Sequence, residues 1–184
     1  MDRRAHLRLM ADYNRWMNTR LYAAAATLDD ASVHADRGAF FGSLFGTLNH
    51  LVVADTIWLK RFAADPSGAL GLAPLHKEPM PTKLGEPICD TLAELATRRA
   101  GLDALICDWV ATLTDADLDA ALAYRNTQGV PATRNLFAVL MHFFNHQTHH
   151  RGQATTLLSQ AGVDMGPTDL LLRIPDLGDE VAQA

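Results

Sequence analysis

Four histidines fall within nine residues of this chain, His142, His146, His149 and His150, inside the stretch Leu140-Met141-His142-Phe143-Phe144-Asn145-His146-Gln147-Thr148-His149-His150-Arg151-Gly152-Gln153. A neutral imidazole is the commonest protein ligand for transition metals, and residues four apart on a helix stand about one turn apart on one face, so two imidazoles at that spacing can reach one ion. Several pairs here have the spacing, and a helical wheel separates them. With His142 at zero and an advance of about 100° per residue, Leu136, Val139, Leu140, Phe143, Phe144, Leu157 and Leu158 cluster around roughly 130°, the side that must face a core. His146 then lies near roughly 40°, His150 near roughly 80°, and His149 near roughly 340°, turned away. The inward pair is His146 and His150. His142 could pair with His146 instead, but it stands further from the apolar stripe and about 12 Å along the axis from His150, which argues against all three sharing one ion.

A catalytic metal needs a third ligand. His6, His34 and His76 lie near a terminus or in loops, whereas His50 sits inside the strongly apolar run Thr47-Leu48-Asn49-His50-Leu51-Val52-Val53-Ala54-Asp55. Three neutral imidazoles suit zinc or nickel first, with cobalt or iron also compatible, and three protein ligands leave open positions for water or substrate. A different use of the same residues stays open at this point. A lone helix histidine such as His50 is more often a hydrogen-bonded core or surface residue, and the four-histidine run could serve a dimer contact.

The elements that must position these residues are long helices. Apolar periodicity predicts a first helix over about residues 2–29, a second over about 39–64, and a third over about 88–113. A fourth runs from about 133 to beyond Leu158, with Thr133 as its N-cap and Gly162 at the place of a C-terminal glycine stop. Between Pro66 and Pro87 lie five of the eight prolines, so this stretch reads as a long loop, a candidate lid or dimer strap. Thr114-Asp115-Ala116-Asp117 reads as a fresh N-cap followed by a short turn, and the turn signal from Asn126 to Gly129 suggests a small β-hairpin before the fourth long helix. The expected fold class is all-α, an antiparallel four-helix bundle, as one domain over residues 1–184, with the site built from side chains facing the interior.

Composition narrows the partners. Lys and Arg number 16 against 21 Asp and Glu, a formal charge of −5 that offers no footprint for a phosphate backbone, so nucleic acid is not expected. No apolar run approaches the roughly 20 residues of a membrane span, and the N-terminus enters an amphipathic pattern with neither a signal peptide nor an anchor. The two cysteines, Cys89 and Cys107, read as lying on one helix too far apart to bridge, which points to a reducing cytoplasm.

Three stretches resemble the DinB family, also called DinB/YfiT-like metalloenzymes. They are Tyr13-Asn14-Arg15-Trp16-Met17-Asn18; Gly42-Ser43-Leu44-Phe45-Gly46-Thr47-Leu48-Asn49-His50 with Ala54-Asp55 and Trp58-Leu59; and Asn145-His146-Gln147-Thr148-His149-His150-Arg151-Gly152-Gln153. Gly166-Pro167-Thr168-Asp169-Leu170 resembles the family's closing segment. The resemblance implies a four-helix bundle, a homodimer, and a divalent metal on His50, His146 and His150. Relatives include thiol-dependent transferases and an isomerase, so the implied chemistry is a metal-activated thiol or water attacking a small electrophilic substrate. The competing reading is a non-catalytic metal-binding or stress-response bundle.

Outside the three ligands no catalytic residue is assigned. Gln153 is close in angle to His146 and could hydrogen-bond a ligand, although an exposed glutamine is the simpler reading. Asp55 and Arg151 fall on the apolar sides of their helices and are expected to form a buried pair. Tyr13, Asn14 and Trp16 could line a cavity mouth, with core packing the alternative for Trp16.

Overall fold

A computed structural model describes residues 1–176 and Gly178. It is mostly helical, with one two-stranded antiparallel sheet. Four long helices carry the architecture: α1 (Arg3–Ala25), α3 (Leu44–Ala63), α4 (Leu92–Thr112) and α6 (Leu136–Gln160). Two short ones, α2 (Asp30–His34) and α5 (Asp115–Asp119), sit in connections. Helix α1 packs on α4 and α6, and α3 packs on α6 and α4. Phe62 of α3 joins the last three at the centre, stacked 5.0 Å from Trp109 of α4 and edge-on at 5.8 Å to Phe143 of α6. All three rings are at most 1% exposed. Burial of a phenylalanine of this kind contributes about 1.5–3 kcal/mol.

The helix ends follow local capping chemistry, and this is where the structure departs from the periodicity. The first helix stops at Ala25 instead of about 29, and Asp29 then caps α2 by accepting from the Ser32 amide. The second long helix begins at Leu44 instead of about 39, because residues 39–42 form a tight turn closed by the Gly42 amide on the Ala39 carbonyl, and Ser43 caps the helix. Thr91 and Glu94 form a capping box that starts α4 at Leu92, so Cys89 lies before the helix, and both cysteines are free. The Thr114 cap and its short helix stand as expected.

The hairpin is present as β1 (Ala121–Arg125) and β2 (Pro131–Asn135), with Ala121 opposite Asn135 and Arg125 opposite Pro131. Thr133 is therefore a strand residue. The cap of α6 is Asn135, whose side chain accepts from the Ala138 amide and donates to the Leu118 carbonyl. Gly162 ends α6 at φ +80°, the left-handed region that glycine enters without a Cβ penalty.

The proline-rich stretch packs more tightly than a free loop. It contains a 3-10 helix at Ala73–Lys77 and buries Leu72 and Leu75. The Lys60 ammonium donates to the carbonyls of Leu75 and Glu78, and the Trp109 indole donates to that of Ser67. Among the described residues, no helix is long and apolar enough to cross a membrane.

Candidate metal centre

Helices α3 and α6 run in opposite directions against each other, since His50 meets His150, Asp55 meets Gln147 and Trp58 meets His142 in descending order along α6. That crossing brings the three predicted imidazoles to one point. Nε2 of His50 lies 3.3 Å from Nε2 of His146 and 3.2 Å from Nε2 of His150. Ligand atoms of all three lie within 4.8 Å of one another, so the triad could hold a metal ion. Ligands about 2.0–2.1 Å from a tetrahedral zinc stand about 3.3–3.4 Å apart, which these separations match within about 0.2 Å.

The far side of each ring decides which nitrogen points inward. Nδ1 of His50 is 2.9 Å from the Leu84 carbonyl, and Nδ1 of His150 is 2.7 Å from Oε1 of Gln153. Both partners are acceptors, so each Nδ1 carries the proton and each Nε2 presents a lone pair to the shared centre. Lone pairs this close repel, and a cation between them removes the repulsion. Gln153 is thus engaged by a ligand and is not a free surface glutamine.

The surroundings hold the rings in place. Phe41 stacks on His50 with ring centres 3.9 Å apart and 16° between planes, and meets His150 edge-on at 5.7 Å. The approach of that turn to α3 depends on Gly46, where a Cβ would lie 2.1 Å from the Phe41 carbonyl oxygen. On the other side, Asn49 donates to the Glu86 carbonyl and accepts from the Ile88 amide, pinning the chain that presents Leu84. His50 is 2% exposed and His150 9%. Burial pulls His50 down from 6.5 to about 4 against the Leu84 hydrogen bond, and burial with the neighbouring imidazoles pulls His146 to about 3. His150 is lowered by burial as well. Burial thus favours the neutral, ligand-ready form of all three imidazoles.

His149 is exposed, as the wheel requires. His142 is also exposed and faces Trp58, with its ring 6.0 Å from that of His146. Two flanking cavities come within one residue of the triad: about 400 Å³ at His142 and about 220 Å³ at Gln153.

Beneath the triad lies a buried polar layer that sequence reasoning assigned wrongly. Asp55 pairs with Arg99 of α4, not with Arg151, and also accepts 2.7 Å from the Gln147 amide. Arg99 reaches Asp103 at 3.0 Å, and Asp103 accepts from Asn14 and Asn18 of α1. Arg151 donates instead to the side-chain Oδ1 of Asn14 and lies over the Tyr13 ring. Burial lowers Arg151 to about 10, against the opposing pull of Tyr13, Asp55 and Asp103. Asn14 donates to Asp103 within this layer, and the Tyr13 hydroxyl donates to the Thr168 carbonyl. Trp16 is a half-buried platform for the guanidinium of Arg20 and, further out, that of Arg173. The missed signal was present: Asn14 and Asn18, like Arg99 and Asp103, are polar pairs at helical spacing.

Comparison with known proteins identifies the family. The DinB family model matches residues 1–176. The chain is 28% identical over 160 residues to Protein DinB of Bacillus subtilis (strain 168), covering 86% of this chain and 87% of that one. No solved structure matches.

Proposed function

Because this chain belongs to the DinB family, we propose that His50, His146 and His150 bind one divalent transition metal ion per chain, zinc or nickel first, and that the site serves a metal-dependent transferase or hydrolase. The observation that supports the reading is the convergence of three Nε2 atoms, with the His50–His146 and His50–His150 separations at 3.2–3.3 Å. Bound there, such an ion would polarise a substrate oxygen and lower the pKa of a coordinated water or thiol. The protein's own part is to fix the tautomers through Leu84 and Gln153 and to shield His50 with Phe41. The substrate class is a small electrophile, with a low-molecular-weight thiol or water as nucleophile.

The fold reading that accompanies this function is one four-helix-bundle domain built from α1, α3, α4 and α6. The reading extends to a cytoplasmic homodimer, supported by the resemblance and by the exposed apolar side chains of Leu171, Leu172 and Ile174. Elemental analysis of untagged protein tests the centre: about one metal per chain is expected, lost in His50→Ala and His146→Ala. Turnover in a screen of thiol-dependent and hydrolytic reactions should vanish in His150→Ala. Unchanged turnover in that variant rules out the enzymatic reading, and a bound metal without turnover leaves a non-catalytic metal protein.

A further inference from the structure

A cavity of about 540 Å³ lies where α3 meets the β-hairpin and the proline-rich stretch. Its apolar wall includes Ile57, Met80, Pro81 and Ala123. Its charged residues are Lys60, Arg61 and Arg125, and no carboxylate lines it, in a chain whose formal charge is −5. Two of those cations are already engaged. Lys60 donates to the carbonyls of Leu75 and Glu78, and Arg125 donates to that of Gly129.

Arg61 is different. Its guanidinium lies 4.5 Å from the Trp58 ring centre and 5.1 Å from that of Tyr124. Among the described residues its guanidinium has neither an ion pair nor a hydrogen bond, the side chain is half-buried, and burial lowers its pKa while leaving it a cation. Aromatic faces orient a guanidinium but leave its five N–H donors unused. A planar fork with no protein partner among the described residues, its nitrogens reached by solvent beside an apolar wall, matches a carboxylate carried on a hydrocarbon body, through two parallel charge-assisted hydrogen bonds.

The position relates this cavity to the candidate metal centre. Tyr124 also lines the neighbouring cavity of about 400 Å³, together with Trp58, Arg134 and His142. Trp58 meets the His142 ring at 5.4 Å, and the His142 ring stands 6.0 Å from that of His146. Arg61, Trp58, His142 and His146 thus form a continuous line along one flank of α3 and α6.

We propose that Arg61 anchors the carboxylate of a small organic acid in this cavity, beside Trp58 on the flank that leads to the triad. Its assignment as substrate rests on the metal-centre reading; the binding itself does not. The test uses the full chain, metal-free and zinc-loaded, titrated with benzoate, benzamide and inorganic phosphate while the Trp58 indole and Arg61 guanidinium N–H signals are followed by NMR. Benzoate is expected to bind about tenfold more tightly than benzamide and than phosphate, with or without zinc. Arg61→Gln should bring benzoate down to the level of benzamide, and Arg61→Lys should retain part of the preference. Equal binding of benzoate and benzamide, tighter binding of phosphate, or an unchanged preference in both variants overturns the proposal. Zinc titration of the same samples separates the two readings: a chain that takes benzoate but no zinc loses the metal centre and keeps the anion site, and the converse holds.

Discussion

Adding zinc to the metal-free protein is expected to raise its unfolding temperature by several degrees, and the size follows from where the ligands sit. His50 is on α3, with His146 and His150 on α6, so only the folded chain brings three Nε2 atoms together. A ligand that binds the folded state alone, at 100 times its dissociation constant, stabilises it by about 2.7 kcal/mol. For 184 residues, an unfolding entropy of about 2.1 cal/mol/K per residue gives about 0.39 kcal/mol/K, so the shift is about 7 °C. Scanning calorimetry at matched free zinc measures it. His146→Ala removes one of three preset ligands, and its shift should fall below about 2 °C on the same entropy. His142→Ala should keep the full shift, because that ring lies outside the triad. A full shift in His146→Ala, or a lost one in His142→Ala, refutes the choice of the inward pair.

Two further outcomes concern the surroundings of the centre. Asp55→Asn leaves Arg99 buried with only Asp103 at 3.0 Å, and should cost about 3 kcal/mol, the low end for a broken buried pair, read as a fall in denaturant midpoint. A double-mutant cycle should place the coupling of Asp55 on Arg99; larger coupling to Arg151 would contradict the observed pairing. For the metal-free protein, folded His50 and His146 stay neutral to about 4 and about 3 while the unfolded chain takes up protons from 6.5 downward. Stability should therefore decline as pH falls through that interval and level off below it, and the decline should be shallower in His50→Ala; equal slopes would refute the assignment.

Much of this was legible because apolar periodicity and the His146–His150 spacing report directly on which face is buried. The hairpin was legible from Asn126 to Gly129, since turn chemistry is local. Helix starts were not: periodicity continues through 39–43, but the backbone there closes on itself and Ser43 supplies the cap. Thr133 looked like a cap for the same reason, yet its amide and carbonyl belong to a strand, and Asn135 has the free side chain at the right place. Partner choice among buried charges was the least legible. The wheel correctly turned Asp55 and Arg151 inward, but Arg99 of α4 is also inward, and only the crossing of three helices decides which cation meets the carboxylate.

That crossing also bears on how rigid the centre is. Gln147 follows His146 and Arg151 follows His150, so each ligand and its successor differ by about 100° around α6. One face of α6 therefore carries the imidazoles toward α3, while the adjacent face carries an amide to Asp55 and a guanidinium to Asn14. Rotating α6 to widen the Nε2 separations would break both buried contacts together. Leaving a buried polar group unsatisfied costs about 1–3 kcal/mol each, more for a charge. The polar layer thus holds the helix at the angle that presets 3.2–3.3 Å between the His50 imidazole and its two partners, which favours an ion with short bonds to nitrogen over larger oxygen-seeking cations.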